Sequence, residues 1–177
     1  MLLEHHRPSG HASWETRSLK KLLARTPLLR MAHLTRVGWL SVTRPVTMGV
    51  RALIRDRSGA VLLIRHNYVG GWHMPGGGVG RGETVHQAMA REVREEVGLE
   101  VVGTARMMGL YARFRHGASD HVSVFVVDEW SGTPAVDGLE IAEYRFFPPD
   151  ALPEDTTPAT RRRLAEFQSG CDVSELW

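Results

Sequence analysis

Residues 77–99 read GGVGRGETVHQAMAREVREEVGL, and no other stretch limits so closely what this chain can become. The first half is a glycine-rich loop. The second half has helical periodicity and carries Glu92, Glu95 and Glu96, at spacings where carboxylates repel one another across a helix surface. On a wheel of about 100° per residue with Val85 at zero, Ala88, Met89, Val93 and Val97 lie between roughly −60° and +120°. Glu92 and Glu96 fall near −20° and +20° in that same arc, with Glu95 near −80° at its edge and Arg94 and Gln87 opposite. A solvated charge run would place its carboxylates away from the valines.

Carboxylates at the margin of a core need a cation, because an isolated buried charge costs several kcal/mol or becomes protonated. Arg91 and Arg94 supply part of it, but two arginines do not easily reach three converging carboxylates, whereas a divalent ion does. An all-oxygen ligand set points to a hard ion, Mg2+ or Mn2+, rather than zinc. The glycines just upstream allow close backbone approach, and a helix start favours anions. Together these features suggest a phosphate ester held beside metal ions. A Walker A loop does not fit, because the glycines run into Arg-Gly-Glu-Thr with no Gly-Lys-Ser/Thr, and the carboxylates lie inside the helix.

The rest of the chain supplies a domain for this helix. Its 177 residues suit one domain carrying an extension. Residues 1–45 hold eight Lys/Arg against Glu4 and Glu15, a balance of +6; residues 46–177 hold 14 basic and 18 acidic side chains, a balance of −4. The N-terminal part opens on a His, Pro, Ser and Gly-rich lead-in read as disordered, then shows helical spacing from Thr16 to about Leu40 with Pro27 dividing two short helices. This basic amphipathic arm suits packing on the domain or a second subunit, docking on an acidic membrane surface, or contact with nucleic acid, of which packing is favoured.

From Val46 the pattern is strand-like. VTMGVRALIRD and AVLLIRH, joined at Arg57-Ser58-Gly59, read as a hairpin. Thr84 and Gln87 form a capping-box pair and Gly98 ends the helix. Strand patterns follow at about 101–115, in HVSVFVVDEW and in EYRFF, and a last helix opens at Thr157 and Pro158 and closes at Gly170. Strands, helix, strands, helix argue for an α/β mixed sheet covered by helices. No run is long and apolar enough for a membrane span, and no signal-peptide h-region stands at the start. Cys171, the single cysteine, excludes an internal disulfide and a multi-thiolate zinc site, and makes a reducing cytoplasm the expected setting.

Gly77, five residues, Glu83, seven residues, Arg91-Glu92-Val93, one residue, Glu95-Glu96, one residue, Gly98-Leu99 resembles the Nudix box at every fixed position. WHMPGGG before it and EYRFFPPDALP after the sheet are similar to the family's flanking segments, so the resemblance covers residues 46–168 and leaves 1–45 outside. It implies an α/β/α sandwich with a mixed sheet, in which 46–177 form the hydrolase domain and 1–45 a basic helical extension. It further implies Mg2+- or Mn2+-dependent cleavage of the diphosphate linkage in a nucleoside diphosphate derivative. Glu92, Glu95 and Glu96 would be metal ligands, with a backbone carbonyl near Gly77, and Arg91 would pair with Glu83 to hold helix against loop. Gly80-Arg81 departs from the family's usual acidic residue followed by Pro or Lys, without touching a metal position.

Family members often add a carboxylate from beyond the box. Glu140 is the first choice, with Glu143 and Asp120 behind it. Gly76, Gly77 and Gly78, with Arg51 and Arg65 on strands, are the phosphate-binding candidates. Arg113 and Arg115 carry lower weight for the same role. Trp72 and Tyr111 suit core packing better than base stacking. His66, His73, His86, His116 and His121 lack ligand spacing, and Cys171 lacks an activating neighbour. A homodimer is common in the family and is kept as an expectation. The competing class is a nucleotide-sensing regulator on the same fold whose basic arm meets nucleic acid. An intact glutamate set argues against it. Isomerisation of an allylic diphosphate is the other alternative, and Cys171 is misplaced for the cysteine that chemistry uses.

Overall fold

The computed structural model describes residues 31, 35, 39, 46–115, 118–136, 138–170 and 174–177. Met31, Thr35 and Trp39 are helical and exposed; the rest of the basic arm, the Arg115 side chain, His116 and Cys171 lie outside the described residues. The strands are β1 (Val46–Ile54), β2 (Val61–His66), β3 (Trp72–His73), β4 (Glu100–Val101), β5 (Arg106–Arg115), β6 (Ala118–Val127), β7 (Trp130–Ser131) and β8 (Ile141–Phe147). The helices described along their whole length are α1 (Val85–Val97) and α2 (Pro158–Ser169).

β1 and β2 do not form the expected hairpin. The turn is there, with Asp56 Oδ1 accepting from Ser58 N–H at 2.8 Å and Ala60 N–H at 3.0 Å. The strands nevertheless meet only at an isolated Arg55 and Val61 bridge. β1 runs parallel to β6 along its whole length, and β5 lies antiparallel on the far side of β6, which makes this sheet mixed. β2 stands instead between β3 and β8 in an antiparallel sheet, and β4 pairs with β7 in a third. The remaining edge of β1 is taken by the glycine loop. Val50 N–H donates to the Gly77 carbonyl at 2.9 Å, Ala52 N–H to Pro75 at 2.8 Å, and Val79 N–H to Met48 at 3.0 Å.

Alternation along β1 and β2 builds a core on each side of the sheets, since successive side chains point to opposite faces. Val50, Ala52, Ile54, Leu62 and Ile64 face α1 through Ala88, Met89, Val93 and Val97. Leu53, Val61 and Leu63 face the other way, with Trp72, Tyr111, Val124 and Leu164 of α2. The result is the α/β/α sandwich, with Trp72 and Tyr111 as core residues. Among the described residues no helix is long and apolar enough to cross a membrane.

Candidate active site

The limits of α1 are set locally. Thr84 Oγ1 accepts from Gln87 N–H at 3.2 Å while Gln87 Oε1 accepts from Thr84 N–H at 2.9 Å, a reciprocal capping box. Gly98 adopts φ 68° and donates to the Arg94 carbonyl, as a left-handed terminating glycine does. The box satisfies two of the four amides left free at the helix start.

Between those ends the three glutamates take different depths. Glu96 is 7% exposed. The Glu92 side chain is 15% exposed and that of Glu95 57%. One arginine reaches more of them than the sequence suggested. Arg91 Nε donates to Glu83 Oε1 at 2.8 Å, Nη1 to Glu92 Oε1 at 2.9 Å and Glu95 Oε2 at 3.0 Å, and Nη2 to the Gly78 carbonyl at 3.0 Å. A planar guanidinium with five donors can bridge a loop and two helix carboxylates at once. Arg94, the other expected partner, is exposed.

Glu96 is outside that network. Its Oε2 accepts from the Gly76 N–H at 2.6 Å. Burial raises its carboxyl to about 8 against the pull of Arg51 and the Gly76 amide, and the charges of Glu92 and Glu140 push it further up. Burial also raises Glu92, with Arg91 opposing. Glu83 is the contrast: Arg91, helped by the Gly80 N–H, holds it down to about 2. Arg91 thus satisfies Glu83 and partly offsets Glu92, while Glu96, outside that network, stays raised.

The glycines make this proximity possible. At Gly76, φ is 139° and a Cβ would stand 2.1 Å from the Val50 carbonyl oxygen, so only glycine fits. At Gly77 a Cβ would stand 2.4 Å from Glu92 Oε1, so the missing side chain makes room for the carboxylate. Gly78 has open space at the same position.

Arg51 projects beside this loop. It donates to the Met74 carbonyl at 3.1 Å and closely to that of Gly76, and its own pKa is lowered by burial, with Arg113 adding and Glu96 and Glu92 opposing. Arg65 is placed elsewhere, paired with Asp155 at 2.8 Å and stacked over Trp72. Asp120 is held by Arg113 and by Thr47 Oγ1, and Glu143 pairs with Arg145 at 2.7 Å. Neither joins the α1 glutamates. Glu140 does reach them electrostatically, since its charge is felt at both Glu92 and Glu96. His73 contacts the Gly70 carbonyl at 3.1 Å, and His86 lies edge-on to Phe125. Asn67 and Tyr68, which sequence patterns did not single out, hold the Glu140 segment; no motif marks them.

No three His, Cys, Asp or Glu side chains among the described residues form a ready-made metal cage. The chemistry of the donors still fits a divalent cation, because they are hard carboxylate oxygens, the missing side chain of Gly77 makes room for Glu92, and Glu96 is buried with its carboxyl raised. In this arrangement Arg91 Nη1 occupies the gap between Glu92 and Glu95.

The NUDIX domain family model matches residues 45–167. A Bacillus subtilis (strain 168) protein provisionally named an 8-oxo-dGTP diphosphatase is 30% identical over 124 residues, which cover 70% of this chain and 81% of that protein. The ADP-ribose pyrophosphatase of Methanocaldococcus jannaschii is 32% identical over 106 residues, covering 57% of this chain and 62% of that one. The crystal structure of a MutT NUDIX hydrolase from Burkholderia pseudomallei shares the fold with a TM-score of 0.62 at 30% identity, covering 68% of this chain and 96% of its own. A family match across most of the chain, on a sandwich whose glycine loop and glutamate helix meet as described, makes this protein a Nudix hydrolase, a member of the family that splits diphosphate linkages of nucleotide derivatives with the help of divalent cations.

Proposed function

We propose that this hydrolase cleaves a nucleoside diphosphate derivative, NDP-X, to NMP and phosphorylated X, with Mg2+ or Mn2+ held by Glu92, Glu95, Glu96 and Glu140. The observation that carries the reading is the burial of Glu96 beside Glu92, where among the described residues Arg51 and the Gly76 amide oppose the charge of Glu96. A divalent ion bound there would neutralise diphosphate oxygens and acidify the attacking water. The chain's own residues supply the frame. Arg91 ties Glu83 and the Gly78 carbonyl to α1, fixing the loop over the carboxylates. Gly76 and Gly77 bring that loop close enough for its amide to orient Glu96. Arg51 presents a fixed positive charge at the mouth of the loop, where it can meet a phosphate oxygen and offset Glu96. The Gly77 carbonyl already accepts from Val50 N–H, and its second lone pair is what it would offer a metal.

We assign residues 46–177 to the catalytic domain, extending past the family match because the described tail from Ser174 returns to β5. There Ala112 N–H donates to the Glu175 carbonyl at 2.7 Å and Trp177 N–H to the Ala112 carbonyl at 3.0 Å. A cytoplasmic setting and a homodimer accord with this reading.

The test is phosphate-product release from a panel that includes ADP-ribose and 8-oxo-dGTP, the compounds for which the two relatives are named. It is run with Mg2+, with Mn2+ and with chelator, for wild type and Glu96→Gln. Metal-dependent turnover of a diphosphate derivative, lost in the variant, supports the reading. Equal turnover in wild type and variant would remove the glutamate assignment.

A further inference from the structure

Glu140 comes from a segment that has to be aimed. β8 pairs with β2 in regular register from Phe147 down to Glu143 opposite Arg65, and then Ile141 stands opposite His66. Ala142 is thus an extra residue in β8, a bulge of the kind that bends a strand and re-aims the side chains at its end. Glu140 is the residue immediately before that bent strand, and it is exposed.

The segment is tied by the two residues that follow β2. Asn67 N–H donates to the Glu140 carbonyl at 3.0 Å. Asn67 Nδ2 donates to the Leu139 carbonyl at 2.9 Å and to that of Gly138 at 3.2 Å. Tyr68 Oη donates to Glu140 Oε1 at 2.7 Å, and its ring leans on His66 at 5.2 Å between centroids. Asn67 therefore fixes the backbone at Glu140, and Tyr68 fixes the side chain.

We propose that Asn67 and Tyr68 form a latch holding the Glu140 carboxylate toward Glu92 and Glu96, which makes both of them positioning residues for the hydrolysis. A phenol suits this task. It is a neutral donor, so it orients the carboxylate without cancelling its charge, as an arginine partner would. A carboxylate has about four lone-pair sites, and the bond from Tyr68 sets its direction while taking one of them. Carboxylates that bind metal are commonly oriented by such hydrogen bonds. Glu140 acts on Glu92 and Glu96, and Tyr68 feels both Glu96 and Arg51, so latch and carboxylates share one electrostatic neighbourhood. The inference rests on the reading of Glu140 as a metal carboxylate.

The test is Mn2+ binding to the full chain without substrate, followed by EPR of the free ion, for wild type, Tyr68→Phe, Glu140→Gln and the double variant, with thermal midpoints measured alongside. Tyr68→Phe is expected to keep its fold and weaken Mn2+ binding by about tenfold, within the range for losing an orienting partner. The double variant should bind no more weakly than Glu140→Gln alone, because without the carboxylate there is nothing to orient. Wild-type binding in Tyr68→Phe beside weakened binding in Glu140→Gln overturns the latch and leaves the reading of Glu140 standing. An additive loss in the double variant also overturns it, since Tyr68 would then act on another group. Wild-type binding in Glu140→Gln removes the metal role of Glu140 and the latch with it.

Discussion

The Gly76 amide donates to Glu96 Oε2 at 2.6 Å, across 20 residues of chain. This bond joins the β1-edge loop to the most buried carboxylate of α1. It makes Glu96 the position where a change of charge is expected to cost function and spare the fold. Glu96→Gln keeps an acceptor for the amide and removes a charge from a repulsive cluster. Its thermal midpoint should equal or exceed that of wild type in chelator. Turnover should fall by roughly 100- to 1,000-fold, the scale of losing one preorganised group that stabilises transition-state charge. Steady-state kinetics beside a thermal melt checks both halves.

The same carboxylate gives the metal-free protein a pH signature. Its folded pKa of about 8 lies above the ordinary 4.5, so the unfolded chain loses this proton first. The folded state therefore binds more protons between those values, and stability falls as pH rises from 4.5 to about 8, then levels. Glu83 acts in a separate window: its folded pKa is depressed to about 2 from 4.5, so its contribution is present above 4.5 and is lost as pH falls toward 2. His73, lowered by burial below 6.5, works in the opposite direction to Glu96. Urea midpoints in chelator across this range, taken as the difference between wild type and Glu96→Gln, should isolate the Glu96 slope. No difference in slope would contradict the raised pKa.

Two adjacent glycines should respond differently to alanine. Gly76→Ala sets a Cβ 2.1 Å from the Val50 carbonyl oxygen at φ 139°, where backbone would have to move. It should destabilise by at least about 1–3 kcal/mol, the usual cost of such a backbone conformation alone. Gly77→Ala instead meets the end of the Glu92 side chain. That side chain can swing aside, so the fold should hold within about 1 kcal/mol while turnover drops, because Glu92 leaves its place. Denaturant midpoints and kcat for the two variants check the contrast.

Arg163 and Arg65 make a similar pair for stability. Arg163 is 0% exposed, donates to Glu166 Oε1 at 2.6 Å and lies 3.9 Å over the Tyr111 ring. Arg163→Ala removes a fully buried cation from the partly buried Glu166 and from the face of Tyr111, and should cost about 3 kcal/mol. Arg65 makes a half-exposed pair with Asp155, so Arg65→Ala should cost about 1 kcal/mol. Chemical denaturation of both variants tests this ranking. A small loss in Arg163→Ala would mean that α2 docks without its arginine.

Much of α1 was legible because its information is local. A period of 3.6 residues fixes which side chains share a face, so the inward placement of Glu92 and Glu96 and the outer place of Glu95 follow from spacing alone. The Thr84 and Gln87 box and the terminating Gly98 are local as well. At α2 the same logic held only in part: Pro158 opens the helix, but Thr157 Oγ1 bonds to Thr160 Oγ1 rather than to a backbone amide.

What the chain could not encode locally was partner choice. The turn at Asp56 forms, yet β1 leaves β2, because β6 offers nine residues of parallel register on one edge and the glycine loop takes the other. Arg91 reaches Glu92 and Glu95 along its own helix and Glu83 through the loop, as the resemblance implied, but its bond to the Gly78 carbonyl forms because the loop folds back over the helix. The charge of Glu140 is felt at Glu92 and Glu96, far from it along the chain, while Asp120 is held by Arg113 across the pairing of β5 with β6 and Glu143 by Arg145 on its own strand. The sequence by itself determined the glutamate helix, its ends and its chemistry. Tertiary structure decided which backbone, arginine and outside carboxylate meet it, since strand pairing and charge burial depend on groups far apart in the chain.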